Sequence, residues 1–523
     1  MTGSSKARNC KYPVGMHFSF VGKFAFIVMA LLPAPFLSAQ TPAVAPAPAE
    51  AFAAARQLLQ QGDFQGAAAA FQKMIESRPS PELYAGLVQS LLKLDDVKAA
   101  DESSRKVVDT FPQSALAHAT RGDAYFRRGM IPEAESEYDS ALKLDQTCAR
   151  AWLGRGKVDA VLARRSQARE AVNKAHELDP GDGDALYEWA IRRPYPENVA
   201  ALERHLAEFR SDPQLESHER DYKELMKALA GRPVWILSPD VPRAELKLEP
   251  MIAGPGQGSR GFGLRVTFND RAEATLLMDT GASGVTITRK FAEKIGARKL
   301  SDTSLEGVGK SGAAHGYHAW VDTIAIGGLK FHECFVHVTP GSVADLDGMI
   351  GTDVFVNFLV TVDFPKRKLR LDPLPEPSSG PEPSPSNDAR ASAADFSQAF
   401  GFGHFLLLWT QAGDKVAGLF VVDSGSNLSS IAPEPARQLA QMRPLNATVT
   451  GMSGGVNSAF FADDLTLQFG KVRRKNQRII TVDLHSVSKN LGTEVSGQIG
   501  FNTLEDMRVV INYRDGLVGF GAK

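Results

Sequence analysis

A chain of 523 residues is too long to fold around one hydrophobic core and calls for two or three domains. Its 59 Lys and Arg balance 60 Asp and Glu, so nothing in the charge supports nucleic-acid binding. With 43% hydrophobic and 23% charged residues it has the make-up of a soluble globular protein rather than a disordered or fibrous one.

Residues 1–39 are predicted to be a signal peptide. Lys6, Arg8, Lys11 and Lys23 precede the apolar run Phe24 to Leu32, which is short for a bilayer span, and small residues follow at Ser38-Ala39. Cleavage near Ala39-Gln40 would leave an exported protein, periplasmic or secreted. An uncleaved inner-membrane anchor is the alternative, and membrane contact is expected only in that case. Cys148 and Cys334 remain beyond this segment and fall in different domains, so no structural disulfide is expected. Residues 40–50 are an Ala/Pro-rich tether.

Residues 51–230 carry an internal repeat. Pro79, Pro112, Pro180 and Pro213 fall on a grid of 33–34 residues, and Ala100, Ala134 and Ala168 recur every 34. Each unit holds two amphipathic helical patterns, such as 117–128 and 131–144, with Gly62, Asp95-Asp96 and Gly129 at the turns. This resembles the tetratricopeptide repeat, in about five units, the last irregular around 192–196. The resemblance implies a helical solenoid that binds a protein partner or substrate rather than a catalyst.

The next segments are read as one half over 231–372, a Pro/Ser-rich linker over 373–395 and a second half over 396–523. Each half contains the same succession. Leu276-Leu277-Met278-Asp279-Thr280-Gly281-Ala282 is an apolar, strand-like run ending in a carboxylate; Phe420-Val421-Val422-Asp423-Ser424-Gly425-Ser426 repeats it. A short strand and a helical pattern follow each, over 289–295 and 435–442. Met349-Ile350-Gly351 and Gln498-Ile499-Gly500 come later, then a final strand. Pro233 to Leu237 is also strand-like. A buried strand that ends in an acid is costly unless the acid has a role, and here it happens twice.

The succession resembles the pepsin/retropepsin superfamily of aspartic peptidases, with both halves in one chain; Gln498 departs from its apolar preference. The resemblance implies a multidomain protein, an α-helical tetratricopeptide solenoid plus an all-β bilobal acid-protease barrel. It implies Asp279 and Asp423 as a catalytic dyad that activates water, with no cofactor and no metal. Two carboxylates in one site share a proton, so one accepts a proton from water while the other donates to the scissile carbonyl. Thr280, Gly281, Ser424 and Gly425 would support the dyad, the hydroxyls tying the two loops together and the glycines admitting close backbone. Gly307, Val308 and Gly309 in one half, and Gly451, Gly454 and Gly455 in the other, are flap candidates over an extended polypeptide substrate. Two ordinary β-turns account equally well for these tips.

Other patterns carry less. Gly451 to Gly455 fits G-x-S-x-G, but the strand-like stretch 459–467 follows where a nucleophile elbow needs a helix. His332 and His337 are five apart on a strand-like alternation, not four apart on a helix, which argues against zinc. The glycines at 254, 256, 258 and 261 read as a loop. The expected function is an aspartic endopeptidase whose repeats recruit a partner. The alternatives are an inert protease-fold scaffold acting through its repeats, and a site assembled between chains.

Overall fold

A computed structural model describes residues 48–521 except 239–240, 242, 253–258, 306–313, 342–345, 377–395, 440–441, 446–448, 452–453 and 457–458. The signal peptide, most of the tether, the linker beyond 376 and the loop 307–309 therefore lie outside the described residues.

Eleven helices open the described chain. They run in pairs: Pro48–Gln60 with Phe64–Ser77, Pro81–Lys93 with Val97–Thr110, Ala115–Arg127 with Ile131–Leu144, Ala149–Val161 with Arg165–Leu178, and Gly183–Ala190 with Glu197–Glu208. Pro213–Leu229 closes the array. The first helix starts at Pro48, inside the stretch read as a tether. Side chains of Asp63, Ser80, Asp96, Ser114 and Asp182 cap helix N-termini by accepting backbone N–H bonds. The small residues of the repeat admit their neighbours. Tyr138, buried and hydrogen-bonded to Asp123 at 2.8 Å, lies against Gly122 and Gly154.

The all-β part has two halves and a sheet common to both. In the first half a nine-stranded sheet sets Ala272–Asp279 parallel to Gly348–Gly351, with Leu277 opposite Met349. In the second, an eight-stranded sheet sets Val416–Val422 parallel to Gly497–Ile499, with Val421 opposite Gln498. A six-stranded sheet joins them. Phe358–Asp363 from the first half pairs with Arg508–Asn512 from the second, Val360 opposite Ile511. This solenoid followed by a bilobal β-structure is the expected fold class.

The helical array is seated on the β-structure. The Phe126 and Phe402 rings are 5.9 Å apart, and Thr493 Oγ1 and Glu494 N donate to the carbonyls of Phe126 and Arg127 at 2.8 and 2.7 Å. On the other side Leu225 and Leu229 of the last helix join the core beside Trp235, and the Asp221 carboxylate accepts from Ser304 N at 2.9 Å.

Two local expectations are corrected. The helix read over 435–442 is only Pro433–Ala436. Tight three-residue turns follow, with Leu439 N bonded to Ala436 O, and they bring Leu439 into the core. The strand read over 233–237 shortens to Ile236–Leu237 because Trp235 takes a φ of 55°, which ends extension and buries its ring against Phe331.

Beyond each Ile-Gly, a polar side chain turns back to hold the loop after the acid. Asp353 accepts from Gly284 N at 2.9 Å and from Ser283 Oγ at 3.3 Å; Asn502 accepts from Ser429 N at 2.7 Å. Burial pushes the Asp353 carboxyl up to about 7 from 3.8. Between those values the folded state holds a proton that the unfolded state releases. Stability should therefore fall as pH rises through this window and level off outside it. Asp353→Asn, which copies Asn502, should flatten that slope in urea-unfolding midpoints measured across pH. In the repeats, a Cβ at Gly154 would meet the Tyr138 ring at 2.0 Å. Overpacking outweighs the gain in helix propensity, so Gly154→Ala should lower stability by about 1–2 kcal/mol, read from helical circular dichroism in urea.

Candidate active site

Asp279 ends the strand Ala272–Asp279, and Asp423 stands one residue beyond Val416–Val422. The two strands come from different halves, and the structure brings their ends together. Gly281 N donates to Asp279 Oδ1 at 2.7 Å; Gly425 N and Ser426 N donate to Asp423 Oδ1, both at 3.0 Å. Gly425 N also reaches Asp279 Oδ1 at 3.2 Å, so one N–H lies between both carboxyls. Both glycines are required by space. A Cβ on Gly281 would stand 3.0 Å from Asp423 Cγ, and one on Gly425 would stand 2.3 Å from Asp279 Cγ.

Thr280 and Ser424 cross between the loops. Thr280 Oγ1 donates to Val422 O at 2.7 Å and accepts from Ser424 N at 2.9 Å. Ser424 Oγ donates to Met278 O at 3.3 Å and accepts from Thr280 N at 3.1 Å. Both side chains are buried, and each bonds across to the other loop.

Burial raises both acids above the ordinary carboxylate range, and a negative charge on Asp279 raises Asp423 further. The charge effect is mutual, so the two titrate as a pair. Between the two ionisations of such a pair one proton is shared, so one carboxyl can donate while the other accepts. His404, in the turn before Phe405–Ala412, places Nε2 3.2 Å from Gly281 O. Desolvation holds its imidazole down to about 4, and that of buried His337 behind it as well.

Sequence reasoning did not single out several neighbours of the pair. Gln498 Nε2 donates to Asp423 Oδ2 at 2.8 Å, although the sequence had marked it only as a departure from an apolar pattern. The roles of Asp353 and Asn502 were visible in the repeat of Ile-Gly-x-Asp and Ile-Gly-x-Asn, two residues beyond the glycines. His404 has no sequence signal. Its contact spans 123 residues.

Of the flap candidates, Gly307, Val308 and Gly309 lie outside the described residues. Gly451, Gly454 and Gly455 belong to a hairpin, Val449–Gly451 paired with Gly454–Val456. The strand Ala459–Phe469 follows, where a nucleophile elbow needs a helix, and Ser453 itself lies outside the described residues. His332 turns to Ser238 Oγ at 3.1 Å, while His337 packs against His318 at 5.0 Å. Among the described residues no three His, Cys, Asp or Glu gather as metal ligands. Away from the Asp pair, the helical array holds a cavity of about 390 Å³ lined by Phe52, Phe71, Lys93, Arg150, Asp184 and Phe209.

The aspartyl protease family model matches residues 264–354, and the tetratricopeptide repeat model matches 52–115 and 119–183. No curated protein matches the sequence. Among solved structures, the chain is similar to an aspartic proteinase from Irpex lacteus. That match has 12% identity, covers 54% of this chain and 97% of the other, and has a TM-score of 0.35. It is also similar to a thermophilic tetratricopeptide protein of Thermus thermophilus, with 23% identity, coverage of 31% and 91%, and a TM-score of 0.26. The chain thus carries tetratricopeptide repeats followed by an aspartyl-protease-like domain.

Proposed function

We propose that the protein is an aspartic endopeptidase that hydrolyses polypeptides by direct attack of water. The observation that carries this reading is the single N–H of Gly425 bonded to carboxyls from both halves, at 3.2 Å to Asp279 and 3.0 Å to Asp423. One carboxylate takes a proton from water as it attacks the scissile carbonyl. The other carboxyl protonates the carbonyl oxygen, and the resulting tetrahedral intermediate collapses with protonation of the amine. The chemistry uses side-chain protons alone, so it needs neither cofactor nor metal. The helical array supplies a second surface, its cavity lined by both aromatic and charged side chains, for a protein partner or a remote part of the substrate. Export guided by residues 1–39 completes the proposal.

The test is cleavage of a random peptide pool by the chain lacking residues 1–39, from about pH 3 to 8. Asp279→Asn and Asp423→Asn should each lower the rate by about 10²–10⁴, since each removes one member of the acid/base pair. The profile should be bell-shaped. Its upper limb should extend above the ordinary carboxylate range, because burial and mutual repulsion delay the second ionisation. Cleavage that survives both substitutions would remove the assignment. Absence of cleavage at every pH would favour an inert fold that works through its repeats.

A further inference from the structure

The two halves are not equivalent at one position beside the pair. In the first half the residue opposite Leu277 is Met349; in the second the residue opposite Val421 is Gln498. Met349 packs with Leu277 and offers no N–H or O–H donor from its side chain. Gln498, which is 8% exposed, donates Nε2 to Asp423 Oδ2 at 2.8 Å, and its Oε1 accepts from Ser430 Oγ at 2.8 Å. Ser430 faces Gln498 across the antiparallel pairing of their strands.

Amide orientation follows from the charges. Nε2 faces Asp423, where an ionised carboxylate is the better acceptor, and the amide oxygen takes its donor from the Ser430 hydroxyl. Asp423 consequently receives three N–H bonds, from Gly425 and Ser426 on Oδ1 and from Gln498 on Oδ2. Among the described residues Asp279 receives two, both on Oδ1, and one of those is the Gly425 N–H that it shares. Ser426 does not compensate, because its hydroxyl turns to Leu428 O at 3.0 Å. The titratable groups near the pair lie on the Asp279 side. Burial raises Tyr513, charge on Asp353 and on Asp279 raises it further, and His404 Nε2 lies 3.2 Å from Gly281 O. Repulsion between the two acids is reciprocal and cannot decide which one ionises first. The unequal donor sets can.

We propose that Gln498 is a positioning residue that makes Asp423 the ionised member of the pair and leaves the proton on Asp279. Asp423 then takes the proton of the attacking water, and Asp279 protonates the carbonyl oxygen. This rests on the reading of the two acids as one proton-sharing pair.

Covalent labelling tests it without knowledge of the substrate. Phenyl glycidyl ether reports the ionised acid: a carboxylate oxygen attacks the terminal epoxide carbon, the ring C–O bond breaks, and the alkoxide takes a proton from solvent. Ethyl diazoacetate reports the protonated acid: the carboxyl proton moves to the diazo carbon, and the carboxylate displaces dinitrogen. At about pH 5 the epoxide should be mapped to Asp423 and the diazo ester to Asp279. In Gln498→Met the epoxide preference for Asp423 over Asp279 should fall roughly tenfold to a hundredfold, the worth of a hydrogen bond to a charged group. Ser430→Ala, which frees the amide, should move the ratio the same way by less, and it stands in if Gln498→Met fails to fold. A purely structural role for Gln498 would change stability and leave the ratio fixed. First labelling of Asp279 by the epoxide, or a ratio unchanged in both variants, would overturn the proposal. If neither acid outpaces surface carboxyls with either reagent, the pair itself is absent and the broader reading fails with it.

Discussion

Everything at the centre of the β-structure depends on the crossed hydrogen bonds of Thr280 and Ser424. Two carboxylates brought together in a buried site repel, so they cannot hold the halves in place themselves. The crossing does it instead. Each hydroxyl donates to a carbonyl of the opposite loop and accepts an N–H from it, so neither loop satisfies its polar groups alone. A buried polar group left without a partner costs about 1–3 kcal/mol, and there are several here. The loops therefore close together, and the distance between the acids is set by backbone. The glycines at 281 and 425 follow from that closeness, since any side chain would occupy the space of the opposite carboxyl.

A second constraint acts at the other end of the halves. Phe358–Asp363 and Arg508–Asn512 share a sheet, so the halves are joined by a ladder of main-chain bonds as well as by the loops. The helical array adds a third support. In Val416–Val422, Phe420 and Val422 face the β-core while Leu419 and Val421 face a cluster with Phe126 and Tyr138 of the helices. The strand that delivers Asp423 is thus apolar on both faces, unlike Ala272–Asp279, where exposed Glu273 and partly exposed Thr275 alternate with buried residues. The repeats are a structural wall of the second half, and their role extends beyond offering a surface.

This difference in pattern also shows what the sequence can disclose. The run Leu419 to Val422 announces a strand covered on both sides, but composition alone does not say what covers it. The period of the repeats and the twofold succession around Asp279 and Asp423 were legible because each recurs, and recurrence separates signal from chance. The meeting of Thr280 with Ser424 was legible only through resemblance to a family. His404 against Gly281 was not legible at all, since a single histidine has no period, and the contact depends on how two sheets pack. Trp235 shows the opposite failure: a strand-like apolar run is broken by one positive φ that propensity cannot foresee.

Gln498 occupies the position between these extremes. As a departure from an apolar pattern it reads as a defect, because a buried amide needs partners at both ends. The structure supplies both, Asp423 at one and Ser430 at the other. A symmetric dimer of one half could not use such a residue on one acid alone, since its symmetry would place the same donor on both and cancel the preference. A chain that carries both halves has no such restriction. Met349 opposite Leu277 and Gln498 opposite Val421 are the kind of divergence that only covalent fusion permits. On the proposal above, a fixed place for the shared proton gives the pair a direction: Asp279 gives the proton and Asp423 takes it, before any substrate arrives.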